Sequence, residues 1–357
     1  MKDVLFLVPY PLHRAPSQRF RVELFEPILQ KHNIRYTIEP FLDEETWRVL
    51  YQQSSLFKKV GGILKSWMKR FLLLPKILSY RYVFIHREAA PIGPPLLEWI
   101  IAKLFRKKII YDFDDAIWIP NTSEVNKIAA WVKAFWKVKY ICKWSHQVVV
   151  GNEYLRQYAI QYNANVTIIP TCVDVERGHF LIKQTHQELP VVGWTGSQST
   201  LFYLDEIVPL LQELQEEIDF TFIVIANKQP DLPLKNWKFI LWKEATEQED
   251  LLNIDIGIMP LKADAWSEGK CGFKLIQYLA LGIPAVAAPV GINKTIIEEG
   301  INGYLCEDAE CWKEKLRLLL TDASLREKMG YKGREKIVKE YSIQAYESTF
   351  ITLFKKT

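Results

Sequence analysis

The chain has 357 residues, 49% of them hydrophobic and 25% charged, with a formal net charge of +4. That length exceeds one ordinary core and fits two domains, and the composition excludes a disordered chain. A charge this small names no partner, and no nucleic-acid partner is expected; the distribution of the charge says more.

Lys2-Asp3 leads directly into Val4-Leu-Phe-Leu-Val8 with no small-residue cleavage site, and no apolar run nears the roughly 20 residues that span a bilayer. A cytoplasmic location is therefore expected. The cysteines Cys142, Cys172, Cys271, Cys306 and Cys311 are scattered and odd in number, which fits a reducing compartment and supplies no CxxC metal pattern. Asn121, Asn165 and Asn293 begin N-x-S/T triplets that read as chance matches in such a protein.

The strand Val4 to Val8, a proline-rich loop from Pro9 to Ser17 and a helix over Gln18 to Phe25 form the opening βα unit of a parallel sheet. Ligands of such sheets bind beyond the carboxyl ends of the strands, so this loop lies on the functional rim. Arg19 and Arg21 oppose the dipole at that helix start; they are either solvated or bind an anionic group. Ile34 to Phe41 reads as the second strand. Residues 55–82 then carry seven cations and no acid, with leucines and aromatics interleaved at helical spacing, and residues 127–144 repeat the pattern with five lysines. Each is either a core-packing helix with a basic solvent face or a helix on an anionic membrane surface, and together they predict peripheral contact at the inner face of the cell membrane.

Tyr82 to Ile85 is a strand that delivers His86-Arg87-Glu88 to the rim, and Lys108 to Tyr111 is one that delivers Asp112-Phe-Asp-Asp115. Three carboxylates in four residues repel one another unless they meet a cation, a substrate that needs a base, or an arginine such as Arg87 or Arg19. Gln147 to Val150 and Val166 to Ile169 complete this half, and the polar run Val175 to Leu189 reads as a linker.

The second half repeats the pattern: strand Val191 to Trp194, small-residue loop Thr195 to Thr200, helix Leu204 to Leu214, then strands Thr221 to Ala226, Trp237 to Trp242 and Ile254 to Met259. Trp266 to Gly291 follows as a glycine-containing loop with Lys270 and Lys274, an apolar helix that stops at Gly282 and Pro284, and a buried strand. A loop of this kind is either the cap of a core helix or an anion site, where free N–H groups, the helix dipole and the two lysines converge.

The motifs IPTCVD (Ile169 to Asp174), VGWTGS (Val192 to Ser197), DIGIMPL (Asp255 to Leu261) and GKCGFKLIQYLALGIPAVA (Gly269 to Ala287) resemble the C-terminal half of family 4 glycosyltransferases. The YPxxxxPSxRFR segment from Tyr10, with HREAAP and YDFDDAIW, is similar to a subgroup of bacterial surface-polysaccharide enzymes. The resemblance implies an α/β protein of the GT-B fold, with two doubly wound Rossmann-like domains and a cleft between them. The expected boundaries are 1–175 for an acceptor domain, 176–189 for a linker, 190–335 for a nucleotide-sugar domain, and 336–357 for a helix that packs back on the first domain.

It further implies transfer of a sugar, with retention, from a nucleotide sugar to a hydroxyl of a lipid-linked saccharide acceptor. Gly196, Ser197, Lys270, Gly272, Phe273, Lys274 and Gln277 are the implied donor-binding residues, the lysines on the diphosphate and Gln277 on the ribose. Asp114, Asp115 and His86 are the implied catalytic residues, Asp114 lying closest to a family histidine; Arg19, Arg21 and Arg87 are implied to bind the acceptor. Of the family's two glutamates, eight positions apart, the second falls on Gln277 and the first on Gly269, next to Glu268. Asp112-Phe-Asp114 is formally the metal-binding DxD of the other large glycosyltransferase fold, but the βα repeat after Val191 argues against that fold, so neither a metal nor a cofactor is expected. The missing glutamate and the basic helices leave a catalytically silent nucleotide-sugar-binding or scaffold subunit as the alternative.

Overall fold

The computed structural model describes residues 2–51, 56–120, 133–183 and 189–355. Contacts divide the chain into two units, Met1–Thr171 with Tyr346–Thr357, and Cys172–Ala345. Each is built on one six-stranded sheet in which every pairing is parallel.

In the first unit the strands are β1 (Lys2–Val8), β2 (Tyr36–Pro40), β3 (Tyr80–His86), β4 (Lys108–Phe113), β5 (Gln147–Val150) and β6 (Val166–Ile168), in the order β2-β1-β3-β4-β5-β6. Val4 to Val8 are all buried, as a continuous apolar strand with both faces covered must be. The chain steps outward from β1 to β2 and returns on the other side of β1 as β3. The loops after β1 and β3 therefore leave the sheet in opposite directions, which opens a crevice at their carboxyl ends.

Helix α1 (Pro16–Arg21) follows β1, with Pro16 in the first turn, where its missing N–H costs nothing. The helix expected over Gln18 to Phe25 breaks at Val22 and resumes as a short 3₁₀ turn, Glu23–Phe25. The buried Gln18 explains the break: its amide exchanges hydrogen bonds with the backbone of Tyr10, 2.9 Å each way, and donates to Glu23 Oε1 at 2.9 Å. One side chain thus fixes both the loop and the turn that ends the helix.

Helix α2 (Leu56–Ile77) carries the first basic stretch and α3 (Lys137–Trp144) the described end of the second; residues 121–132, and with them most of that stretch before Lys133, lie outside the described residues. In α3 the expected basic solvent face is corrected at Lys137, which is turned inward: its Nζ donates to Ala90 O at 2.9 Å and pairs with Glu88, because a buried ammonium must find acceptors. Among the described residues no helix is long and apolar enough to cross a membrane.

The second unit has β7 (Val191–Gly196), β8 (Thr221–Ala226), β9 (Trp237–Leu241), β10 (Ile256–Met259), β11 (Ala285–Ala287) and β12 (Gly303–Leu305), in the order β12-β11-β10-β7-β8-β9. The reversal of direction falls between β7 and β10. Helix α4 (Phe273–Ala280) crosses this point, and the ring of its Tyr278 lies on the backbone of Gly257 in β10: a Cβ there would sit 2.3 Å from the ring. Tyr278 Oη in turn accepts the Thr195 N–H at the end of β7, at 2.9 Å. Residues 346–355 belong to the first unit, where Phe350 stacks on Phe25 with centroids 4.2 Å apart and Tyr82 Oη donates to Lys355 O at 2.8 Å.

Gly257→Ala forces the Tyr278 ring off the strand. It is expected to lower the unfolding free energy by about 1–3 kcal/mol, as overpacking of a dense core does, read as a lower midpoint in urea.

Candidate active site

In the second unit the residues at the reversal point converge from three elements. Gly196 ends β7 where a side chain has no room, since a Cβ would lie 2.3 Å from the Trp194 ring and 2.9 Å from Thr200 Oγ1. Ser197 caps the 3₁₀ turn that follows, its N–H donating to Thr200 Oγ1 at 3.1 Å. The Lys274 ammonium lies 5.3 Å from the centroid of Trp194, so the indole links the β7 loop to α4. Lys270 Nζ lies 5.8 Å from both Tyr203 and Trp266, and Tyr203 Oη is 3.1 Å from Ser267 Oγ.

Gly272 caps α4 in the left-handed conformation, φ 65°, with Ile296 2.3 Å from where a Cβ would be. Only glycine fits at this turn into the helix, whose first residue, Phe273, is half-buried. Gln277, one turn along, is 3% exposed, and its amide nitrogen has no hydrogen-bond partner. Asn293, read from the sequence only as a chance triplet, is 1% exposed with an unpartnered Oδ1, 3.5 Å from the same Gly272 Cβ position. A buried donor and a buried acceptor without partners are costly. Gly269 is buried and Glu268 half-buried, so no carboxylate stands at the first of the two glutamate positions.

The rim of the first unit is different in kind: its charges are already paired. Arg21, expected to bind acceptor, is 3% exposed and turned inward; its guanidinium pairs with Asp112 and donates to Ile169 O. Asp112 Oδ2 lies 2.7 Å from His86 Nδ1, and His86 Nε2 lies 3.0 Å from Ser17 Oγ. Ser17 donates to Asp114 Oδ1 at 2.7 Å, Arg87 donates to the same oxygen at 2.7 and 3.0 Å, and Arg87 also pairs with Asp115. Ser17 has one proton, and giving it to Asp114 leaves Oγ an acceptor for His86 Nε2.

Burial works against ionisation of Asp114, but the charges of Arg87, His86 and Arg21 and the Ser17 hydroxyl overcome it and hold the carboxyl well below its ordinary range. His86, expected as a catalytic residue, is 0% exposed and lies between Asp112 and Ser17. Asp114 is buried and Asp115 half-buried, and Arg87 holds both from a left-handed backbone, φ 58°. Arg19 is half-buried with its guanidinium 5.0 Å from the Phe20 ring. Ser17 and Gln18, which organise this rim, carry no sequence signal beyond their place after a proline. Among the described residues no group of three or more His, Cys, Asp or Glu is gathered in a metal-binding arrangement.

Two outcomes follow from this pairing. Asp112→Asn leaves the buried Arg21 without its counter-charge and is expected to cost about 3–5 kcal/mol of unfolding free energy in urea. Asp114 has a depressed folded pKa, so its contribution is complete above the ordinary carboxyl value of about 3.9 and is lost as the pH falls through and below it. The stability gap between wild type and Asp114→Asn is therefore expected to be constant near neutrality and to narrow in acid, measured by urea unfolding at a series of pH values.

Residues 231–336 match the family model described as glycosyl transferases group 1. The N-acetyl-alpha-D-glucosaminyl L-malate synthase of Bacillus anthracis is 24% identical over 135 residues, 37% of this chain and 34% of that protein, so the match spans about a third of the relative's length. Sucrose-phosphate synthase from Thermosynechococcus elongatus superposes with a TM-score of 0.74 at 12% identity, covering 99% of this chain and 98% of that one. Anabaena HepE in complex with UDP-glucose gives 0.68 at 14% identity over 99% of each chain. At such identities the likeness is one of fold: the two parallel-sheet α/β units are those of GT-B glycosyltransferases, and the glycosyl transferases group 1 match lies in the second unit.

Proposed function

We propose that the protein is a glycosyltransferase that moves a sugar, with retention, from a nucleotide-sugar donor to a hydroxyl of a lipid-linked saccharide in surface-polysaccharide synthesis. The observation that carries this is the anion cradle of the second unit: the Gly272-capped start of α4, with Lys270 and Lys274 beside it and the unpartnered Gln277 one turn along. A nucleoside diphosphate has the matching chemistry, with phosphates for the amides and lysines and ribose hydroxyls for the amide of Gln277. Anabaena HepE, a relative in fold, forms a complex with UDP-glucose, which supports the same ligand class here.

When the sugar leaves, negative charge grows on the leaving diphosphate, and preorganised cations and amides stabilise it without rearranging. Lys270, Lys274, the first amides of α4 and the Gly196-Ser197 loop supply that charge complement. In the first unit, Asp114 and Asp115 are hydrogen-bond acceptors held by Arg87; they orient an acceptor hydroxyl or face a cationic sugar ring. The reading calls for no metal and no cofactor. The rival, a silent nucleotide-sugar-binding subunit, is favoured by the absence of a carboxylate at Gly269.

Hydrolysis and transfer measured on a panel of UDP-, GDP-, dTDP- and CMP-sugars separate the two. Lys274→Ala is expected to weaken nucleotide binding about tenfold or more, a loss of at least about 1.4 kcal/mol. Asp114→Asn is expected to leave nucleotide binding intact and lower transfer by about 10²–10⁴-fold. A wild-type protein that binds nucleotide yet turns over no donor supports the silent subunit instead.

A further inference from the structure

Helix α2 has three faces. Ser66, Arg70, Leu73 and Ile77 are buried against the first unit, anchored where Arg70 donates to Ala89 O at 3.0 Å and to Val8 O at 2.9 Å. A second apolar stripe faces solvent at the same helical period: Phe57 is 90% exposed, Val60 49%, Leu64 63%, Met68 60% and Phe71 42%. Lysines line one flank of that stripe, at Lys58, Lys65, Lys69 and Lys76. Lys65 is paired with Asp43 at 2.9 Å, whereas Lys58, Lys69 and Lys76 have no ion-pair partner among the described residues. The helix itself contains no acid.

Isolated exposed apolar side chains are ordinary, but a stripe of five with one fixed spacing marks a surface that something covers. The unpaired lysines on its flank identify the chemistry of the cover. A second copy packed on the stripe would bring two like-charged lysine rows together, which is repulsive. An anionic lipid surface satisfies both features, since the stripe enters the boundary between headgroups and acyl chains while the lysine stems reach up to the phosphates.

We infer that α2 docks the first unit onto an anionic lipid bilayer, with Phe57, Val60, Leu64, Met68 and Phe71 inserted and Lys58, Lys69 and Lys76 on the headgroups. In the second basic stretch Lys137 takes no share in this, because it is buried and paired.

Flotation of the full chain with phosphatidylcholine vesicles, with and without phosphatidylglycerol, tests the assignment. The protein is expected to float with the anionic vesicles at low salt and to be released by high salt. Phe57→Ser, Leu64→Ser and Met68→Ser combined are expected to weaken that partition at least about tenfold, with circular dichroism and nucleoside-diphosphate binding unchanged. Lys58→Gln, Lys69→Gln and Lys76→Gln combined remove the preference for phosphatidylglycerol, and carry the test alone if the serine variant fails to fold. No flotation on either vesicle, equal flotation on both, or a wild-type dimer that the serine variant turns into a monomer overturns the assignment.

Discussion

A guanidinium taken out of water needs a counter-charge and acceptors for its N–H groups, and in the first unit Arg21 finds both only where several elements meet. It lies on the helix after β1, pairs with Asp112 at the end of β4, and donates to Ile169 O just beyond β6. One buried pair thereby ties together the loops that leave three strands of one sheet. The rest of that rim is built outward from it: Asp112 turns to His86, His86 to Ser17, Ser17 to Asp114, and Asp114 to Arg87. Each group takes its orientation from the one before, and the charges around Asp114 hold its buried carboxyl ionised.

The second unit uses the same sheet geometry to the opposite electrostatic end. Its rim gathers two lysines over aromatic faces, a run of helix-start amides and two buried amide atoms without partners. Two glycines make this possible by leaving space. Gly257 lets Tyr278 lie on β10 and reach the Thr195 amide in β7, and Gly272 lets the loop turn into α4 against Ile296. The first rim spends its charges on one another, while the second brings two lysines and a helix start together, an arrangement suited to an anion. The proposed roles of the two units, holding the donor in the second and orienting the acceptor in the first, follow that difference.

Helix α2 stands apart from both rims. It is joined to the sheet by Arg70 and three small or apolar side chains, and it offers solvent a second apolar stripe that the fold does not need. A helix amphipathic in two directions is consistent with one partner inside the molecule and another outside it.

Much of this was legible in the sequence because the relevant signals are local. Continuous apolar runs such as Val4 to Val8 and Thr221 to Ala226 read as buried strands, and the glycines and lysines around the start of α4 read as either a helix cap or an anion site. The absence of acids from residues 55–82 likewise marked a helix with an uncompensated charge. What local pattern cannot encode is which strand returns beside which, and that alone decides that the loops after β1 and β3, and after β7 and β10, meet at a crevice. Exposure was equally beyond it. Arg21, His86 and Lys137 read as surface groups by residue type, yet each is buried because a partner from a distant part of the chain, Asp112 or Glu88, offsets the loss of water. Charge and period along the chain determined the elements and their chemistry; long-range pairing decided which of those charges remain available to a ligand.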